Sequence, residues 1–280
     1  MKKIFAIVLA ALMVAGMCAG CGNSAEETQA PETTAAAAET TAAAAETTEA
    51  AEAAAFTTIE EGKLIMSTNA AFPPYEMVAD DGSFEGIDVE VCGAIAEKLG
   101  LELVVDDMDF DAALLAVQQN KSDVVMAGVT VTEDRMMVMN FSDSYATGVQ
   151  VIIVAAGSDV TIDNLGEKML GTQRATTGNI YATDDYGEDH VTAYDNGASA
   201  VQALMNGQVD CVIIDSAPAQ AFVDANPGLA ILDTEYVTEN YAIGINKDNT
   251  ALVEAINGAL AELIADGTVQ SIVDKYISAE

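Results

Sequence analysis

The chain has 280 residues, of which 45 are acidic and 10 are basic, and its formal net charge is −35. A surface of this charge repels nucleic acid and anionic membranes, so binding to either of them through charge is excluded. A zwitterion or a cation can approach more easily than an anion, although salt screens such steering beyond about 10 Å.

Residues 1–20 have the order of an export signal: Lys2 and Lys3 precede an apolar stretch, and small residues precede Cys21. The segment from Cys18 to Cys21 resembles a bacterial lipobox, in which the last cysteine is lipidated and becomes the amino terminus. Cys18 departs from that motif, which usually has leucine there. We predict a lipoprotein signal peptide over 1–20 and lipid attachment at Cys21. A plain secretory signal and a single membrane-spanning helix are the alternatives.

Residues 21–56 consist largely of Ala, Thr and Glu, and one heptapeptide begins at both Glu32 and Glu39. Alanine and threonine offer little apolar area at the repeating positions, so a coiled coil is not expected. We predict a flexible acidic tether that holds a folded module away from a membrane.

From Thr57 onward, roughly 220 residues alternate short apolar runs with amphipathic helical patterns, enough for one large domain or two lobes. The predicted strands are 63–68, 101–105, 123–126, 150–154, 169–172, 209–215 and 241–245. The predicted helices are 89–99, 112–119, 177–184, 198–206, 217–225 and 252–265. This alternation predicts an α/β fold with parallel sheets whose faces are covered by helices.

In such folds, ligands gather at the carboxyl ends of the strands, so the loops there are the candidate site. Phe72 follows the first strand and Phe110 follows the second, and both can form apolar walls. A core role is the alternative for either phenylalanine. The third strand leads to Gly128, which allows close backbone approach, and to Thr130, which offers a hydroxyl donor.

Arg135 follows in the same segment and is one of only two arginines in the chain. A guanidinium can hold a carboxylate through two parallel hydrogen bonds, so we interpret Arg135 as an anion clamp. A surface arginine near a helix end is the alternative. Thr177 begins a predicted helix whose free amide groups suit a carboxylate. Asp215 ends an apolar strand, where it can bind an ammonium group or cap the next helix.

Other chemistry has little support in the sequence. Cys92 and Cys211 are expected to be buried free thiols, with a disulfide as the alternative, and no zinc-type spacing occurs. The single histidine, His190, lies in an acidic loop, where a surface role is expected rather than catalysis. No phosphate-binding loop and no complete calcium loop are present, so neither a cofactor nor a metal is predicted.

Ordered motifs cover the chain from about Thr57 to Tyr276. They resemble those of bacterial extracellular solute-binding protein family 3, whose members bind polar amino acids for ABC importers. The motifs are Phe72-Pro73-Pro74-Tyr75-Glu76, Phe84-Glu85-Gly86-Ile87-Asp88-Val89, Met108-Asp109-Phe110-Asp111, Ala127 to Arg135, Asn140-Phe141-Ser142-Asp143-Ser144-Tyr145 and Ala265-Asp266-Gly267-Thr268.

The resemblance implies a two-lobed periplasmic-binding-protein-like fold of type II with two hinge strands. Lobe 1 would span 57–147 and 243–280, and lobe 2 would span 148–242. The chain would cross between the lobes near 145–150 and 239–243.

Carried over by the resemblance, the α-carboxylate falls on Arg135 and the ammonium group on Asp215. The remaining implied ligand-binding residues are Asn69, Phe72, Phe110, Ala127, Gly128, Thr130, Gln173, Arg174 and Thr177, with Ile214 in the side-chain pocket. Family members for cationic ligands often have aspartate at the position of Asn69. An uncharged polar ligand side chain is therefore expected, and Arg174 leaves room for an acidic one.

The resemblance implies a monomeric amino-acid-binding protein, anchored outside the cell membrane by its lipid, that partners with an ABC permease. It is not expected to be an enzyme. Two alternatives remain: an exported dehydratase-like enzyme of the same fold, and a ligand sensor without a transport role.

Overall fold

The computed structural model describes residues 56–233 and 236–277. The predicted signal peptide, the lipid attachment site at Cys21 and nearly all of the tether lie outside these residues. Within the described part, no helix has both the length and the apolar character needed to cross a membrane.

The described residues form twelve strands and eight α-helices, with short 3-10 helices at Ile162–Glu167 and Glu188–His190. The strands are β1 (Lys63–Thr68), β2 (Ala71–Phe72), β3 (Glu76–Val78), β4 (Phe84–Glu85), β5 (Glu102–Asp107), β6 (Val124–Val125), β7 (Met139–Ala155), β8 (Leu170–Gln173), β9 (Val191–Tyr194), β10 (Cys211–Asp215), β11 (Leu229–Ile231) and β12 (Val237–Asn246). The helices are α1 (Ile87–Lys98), α2 (Phe110–Gln118), α3 (Glu133–Val138), α4 (Thr177–Tyr186), α5 (Gly197–Met205), α6 (Ser216–Ala225), α7 (Thr250–Ala265) and α8 (Thr268–Tyr276).

Nine strands form one sheet with the order β5-β1-β6-β12-β7-β10-β8-β9, and β11 pairs with β7. Strands β5, β1 and β6 run parallel at one end, and β10, β8 and β9 run parallel at the other. We call these two ends, with the helices on them, the first lobe and the second lobe. The expected parallel sheets are therefore present, but antiparallel strands join them.

Two long strands connect the lobes. β7 has 17 residues; it pairs with β12 along its first part and with β10 from Gln150 onward. β12 in turn pairs with β6 through Gly244 and Ile245. The predicted crossings at 145–150 and 239–243 lie within these two strands. The exact lobe boundaries along the chain stay a prediction.

Apolar runs explain why the central strands are buried on both faces. Ile152 and Ile153 are neighbours on β7 and both are fully buried, which requires cover on each side of the sheet. Cys92 and Cys211 are also buried, and neither forms a disulfide, which confirms the prediction of two free thiols.

The largest difference from the prediction is the length of β7, which begins at Met139 rather than at residue 150. Its first ten residues include Asn140, Asp143 and Gly148, and strands usually disfavour these residue types. Pairing with β12 overrides that local preference. The predicted elements also did not include α8, β9, β11 or the small sheet formed by β2, β3 and β4.

Candidate functional site

A cavity lies between the lobes. All of the predicted ligand-binding residues except Arg174 and Ile214 line it, and Glu76 and Thr176 join them. Its lining consists of Asn69, Phe72, Glu76, Phe110, Ala127, Gly128, Thr130, Arg135, Gln173, Thr176, Thr177 and Asp215. Whether these residues bind a ligand stays a prediction.

Arg135 is only 8% exposed and is the one buried residue of α3. Its guanidinium donates hydrogen bonds to the carbonyls of Thr130 at 2.8 Å and Ala175 at 3.0 Å. Among the described residues, no carboxylate forms an ion pair with it. Burial lowers the pKa of Arg135 from its usual value, and nearby Glu239 acts in the opposite direction. The cavity therefore contains a cation whose charge is not neutralised by direct contact.

Local structure fixes the position of this arginine. The Thr132 hydroxyl accepts a hydrogen bond from the Arg135 amide and thereby caps α3. The guanidinium carbon lies 5.4 Å from the centre of the Phe110 ring, a cation–π distance. The surface alternative for Arg135 is therefore wrong, because the side chain points into the protein.

Gly128 brings the backbone against an aromatic wall. Its φ angle is +54°, and a β-carbon there would lie 2.9 Å from Cε1 of Phe72. Only glycine fits both conditions without strain. Its amide donates a 2.8 Å hydrogen bond to the carboxylate of Asp88, which holds the loop in place.

The second lobe contributes the start of α4. Thr176 caps this ten-residue helix by accepting a hydrogen bond from the amide of Asn179. The hydroxyl oxygens of Thr177 and Thr130 lie 3.5 Å apart across the cavity. The first amides of α4 need acceptors from outside the helix, so this wall suits an anion.

Asp215 ends β10 in the second lobe and is 7% exposed. It occupies the N-cap position of α6, but its side chain forms no capping hydrogen bond, so the capping alternative is wrong. Its carboxylate instead accepts a hydrogen bond from the Tyr241 hydroxyl. Burial raises the pKa of Asp215 to about 7, although the bond from Tyr241 opposes this shift. A cationic group in the cavity would stabilise the ionised form.

Two amides bridge the lobes. The side chain of Gln173 donates a 3.0 Å hydrogen bond to the side-chain oxygen of Asn69. Asn69 in turn donates to the carbonyl of Met108 at 2.8 Å. Both amides are buried, and they close one end of the cavity.

The structure does not bring Arg174 to the cavity. Its side chain is 47% exposed, pairs with Asp195 and lies 4.0 Å from the carboxylate of Asp111 across the lobes. Ala175 has a φ angle of +62°, so the chain turns here and directs its carbonyl to Arg135. The predicted pocket residue Ile214 is likewise in the core and outside the lining.

Two buried acids, Glu76 and Asp88, were not predicted to be part of the ligand site. Glu76 lines the cavity with no exposed surface, and neither of its carboxyl oxygens has a well-aligned hydrogen-bond partner among the described residues. The carboxyl of Asp88 lies next to it. Burial, and then the nearby Asp88, raise the pKa of Glu76 well above its usual value. Its place after two prolines in the first loop was the available signal.

A third buried acid, Glu239, lies behind the cavity wall that α4 forms. Glu239, on β12, accepts hydrogen bonds from the side chains of Gln150 at 2.9 Å and Thr177 at 3.0 Å. It is buried but does not line the cavity. Glu239 therefore connects a hinge strand to a wall of the cavity.

Other predicted chemistry lies elsewhere. His190 is half-buried beside the carbonyl of Lys168 and is not part of the cavity lining. No cluster of side chains suited to a metal ion occurs in residues 56–233 and 236–277.

Proteins of known structure or name resemble this chain. An ancestral arginine-binding protein solved with glutamine bound is 37% identical, with a TM-score of 0.75 over 79% of this chain and all of that chain. The ABC transporter arginine-binding protein 1 of Escherichia coli is 29% identical over 76% of this chain and 90% of its own length. A probable histidine-binding protein of Neisseria gonorrhoeae is 30% identical over 77% of this chain and 83% of its own.

The fold is therefore the two-lobed α/β fold of periplasmic amino-acid-binding proteins, as predicted. The family described as bacterial extracellular solute-binding proteins, family 3, matches residues 64–279. The chain belongs to this family, and the predicted resemblance is confirmed.

Proposed function

We propose that the cavity binds one free L-amino acid and that the protein delivers it to the permease of an ABC importer. The α-carboxylate pairs with Arg135, and the α-ammonium group pairs with Asp215. The observation that carries this proposal is the buried guanidinium of Arg135, whose hydrogen-bond acceptors are two neutral carbonyls. A bound carboxylate would be its first charged partner in direct contact.

Binding works through closure of the lobes. Arg135 belongs to the first lobe and Asp215 to the second, so a zwitterion satisfies both only when the lobes are together. Each charge-assisted hydrogen bond contributes about 1.5 to 3 kcal/mol, so affinity in the micromolar range, about −8 kcal/mol, is reasonable.

The side chain of the ligand has two candidate classes. Asn69 and Gln173 favour an uncharged polar side chain, and the side-chain oxygen of Gln173 is the acceptor that we propose for it. A cationic side chain is favoured by the buried carboxyl of Glu76. Relatives named for arginine and for histidine support the second class.

We propose that the protein binds its ligand and does not catalyse a reaction. We also propose that it is a monomer, held outside the cell membrane by a lipid on Cys21. His190 is not in the lining, which removes the most common acid–base group from the cavity. A sensor without a transport partner would use the same binding step. Uptake that is lost when the chain is deleted supports import over sensing.

A thermal-shift screen against the twenty amino acids tests the binding step. A ligand present at 100 to 1,000 times its Kd stabilises the folded protein by about 2.7 to 4.1 kcal/mol, which raises Tm by several degrees. No shift with any amino acid contradicts the proposal. A bound amino acid that is recovered chemically changed supports the enzyme alternative instead.

A further inference from the structure

Glu239 is a buried acid that the proposed binding step does not use. It lies on β12, one of the two strands that connect the lobes, and it is 4% exposed. Its carboxylate accepts hydrogen bonds from Gln150, on the other connecting strand, at 2.9 Å and from Thr177, at the start of α4, at 3.0 Å. These contacts fix the carboxylate between the connecting strands and one wall of the cavity.

Arg135 reaches the same corner of the cavity from the first lobe. Its guanidinium donates a hydrogen bond to the carbonyl of Thr130. The Thr130 hydroxyl lies 3.5 Å from the hydroxyl of Thr177, which donates to Glu239. Two threonines therefore lie between the guanidinium and the carboxylate. The two charged groups form no ion pair in the described part of the chain.

The charge of Glu239 acts on Arg135 across this gap. Burial lowers the pKa of Arg135, and the negative charge of Glu239 is the largest influence that raises it again. Asp215 acts in the same direction with a smaller effect. A cation that has lost its water shell is costly unless an anion lies nearby, so this arrangement stabilises the buried guanidinium.

We propose that Glu239 is a counter-charge for Arg135 that stabilises the ligand-free cavity while leaving the guanidinium available to a ligand. A carboxylate in contact with Arg135 would occupy its N–H groups, as Asp195 does for Arg174. Glu239 instead lies behind Thr177 and takes none of them. Resting on the proposed function, the same charge repels the ligand carboxylate, so Glu239 lowers affinity while it raises the stability of the empty protein.

The competing explanation is that Glu239 has a structural role only and aligns α4 with the connecting strands through its hydrogen bonds. Glutamine at this position keeps an oxygen that can accept from both Gln150 and Thr177, and it removes the charge. If only the hydrogen bonds matter, E239Q should change the binding of charged and uncharged ligands by the same factor. The tests must therefore depend on charge.

The first test uses the ligand-free protein. Urea denaturation of wild type, E239Q, R135M and the double variant gives a double-mutant cycle, in which methionine removes the charge of Arg135 and keeps most of its length. E239Q should lower the ratio of folded to unfolded protein by about tenfold more in the wild-type background than in the R135M background. Equal losses in the two backgrounds contradict the proposal.

This cycle also decides the outcome if a variant does not fold. An unfolded E239Q chain beside a folded double variant supports the counter-charge, because removal of the cation then rescues removal of the anion. If E239Q and the double variant both fail to fold while R135M folds, the role of Glu239 is structural and the proposal is wrong.

The second test uses the amino acid found by screening and its α-carboxamide, which lacks the negative charge. Calorimetry should show that E239Q binds the acid about fivefold more tightly than the wild type does, or better. The carboxamide should not bind more tightly to E239Q. An unchanged or weaker affinity for the acid, or an equal gain for both ligands, contradicts the proposal.

D143N is the matched control for net charge. Asp143 lies on β7, a connecting strand like β12, but it is exposed. Water and salt screen its charge, so D143N should change the preference for the acid over the carboxamide by less than about 1.5-fold. A change as large as that in E239Q would mean that any acid near the connecting strands acts in this way, and Glu239 would have no special role.

Failure of this inference can be told apart from failure of the proposed function. If the wild type binds an amino acid but the stability cycle shows no coupling between Arg135 and Glu239, only the counter-charge is wrong. If the wild type binds no amino acid, the proposed function fails, and the ligand-free cycle still decides whether Glu239 balances Arg135.

Discussion

The two arginines of the chain lie in regions that differ in burial and in charge pairing. Around Arg135, in the cavity, the cation is buried and its acceptors are backbone carbonyls. Around Arg174, at the edge between the lobes, the cation is half exposed and already paired with Asp195. Both follow a strand in similar segments, so local sequence does not separate them.

The comparison indicates what makes an arginine available to bind a ligand carboxylate: its side chain is buried, and no acidic side chain contacts it. An exposed ion pair contributes about 0 to 1 kcal/mol, whereas a buried charge left unpaired costs several. We therefore expect a ligand carboxylate to gain far more from Arg135 than from Arg174. The following changes test that contrast.

Replacing Arg135 gives the largest expected effect. R135A should weaken amino-acid binding by about 2 to 5 kcal/mol, because the ligand carboxylate is then buried without its partner. Calorimetry with the amino acid found by screening measures this loss. The ligand-free variant should fold normally, as judged by circular dichroism, since it loses a buried charge that no acid neutralises in direct contact. If the affinity of R135A is unchanged, Arg135 does not bind the ligand carboxylate, and the proposed difference between the two arginines is wrong.

Because of Asp215, we expect the stability of the ligand-free protein and its affinity for an amino acid to change in opposite directions with pH. Its pKa is raised to about 7 in the folded protein, against an ordinary value near 3.8. The unfolded chain therefore ionises first, and the stability of the ligand-free protein falls as pH rises from about 4 to 7. Amino-acid affinity is expected to rise over the same pH range, because the proposed ammonium contact needs the ionised carboxylate of Asp215.

D215N is the control for this pH dependence, because an amide can still accept the hydrogen bond from Tyr241. The comparison is the free energy of unfolding of wild type minus that of D215N, measured by denaturation at pH 4.5 and pH 7. That difference should become less favourable to the wild type at the higher pH. A difference that is constant with pH would show that Asp215 keeps an ordinary pKa.

Replacing Gly128 tests how closely the backbone packs against Phe72 in the cavity wall. G128A should destabilise the protein by about 1 to 3 kcal/mol, because it combines a disfavoured φ angle with a clash against Phe72. G62A is a matched control, since Gly62 has a φ angle of +77° with open space around it. The excess loss in G128A measures the contact with Phe72, and equal losses would mean that this contact is unimportant.

Arg174 should give the smallest effect. R174A is expected to change affinity by less than about 1 kcal/mol, the usual range for an exposed ion pair. If Arg174 binds the ligand, as the sequence predicted, R174A should instead lose about as much affinity as R135A. Calorimetry on both variants with one ligand therefore decides between them.

Much of the fold could be predicted because its strands and helices have strong apolar periods. The observed β1 has the predicted bounds, and α7 begins two residues before its predicted start. The first half of β7 could not be predicted, because its polar residues form a strand only through pairing with β12. Long-range pairing of this kind leaves no local pattern.

The cavity lining was largely predictable for a different reason. Residues that follow parallel strands meet at one sheet edge, so Phe72, Gly128 and Asp215 were placed correctly from strand positions alone. The direction of a side chain after a turn is not set in this way. Arg174 leaves the cavity where the backbone turns at Ala175, and Glu76 turns toward it from a short strand that was not predicted.

A double-mutant cycle on the carboxylate tests the central claim most directly. The bound amino acid and its α-carboxamide, which lacks the negative charge, are titrated into wild type and R135A. If Arg135 holds the carboxylate, the wild type prefers the acid by about 2 kcal/mol or more, and R135A loses that preference. If R135A keeps the full preference for the acid, another group binds the carboxylate and the account is wrong.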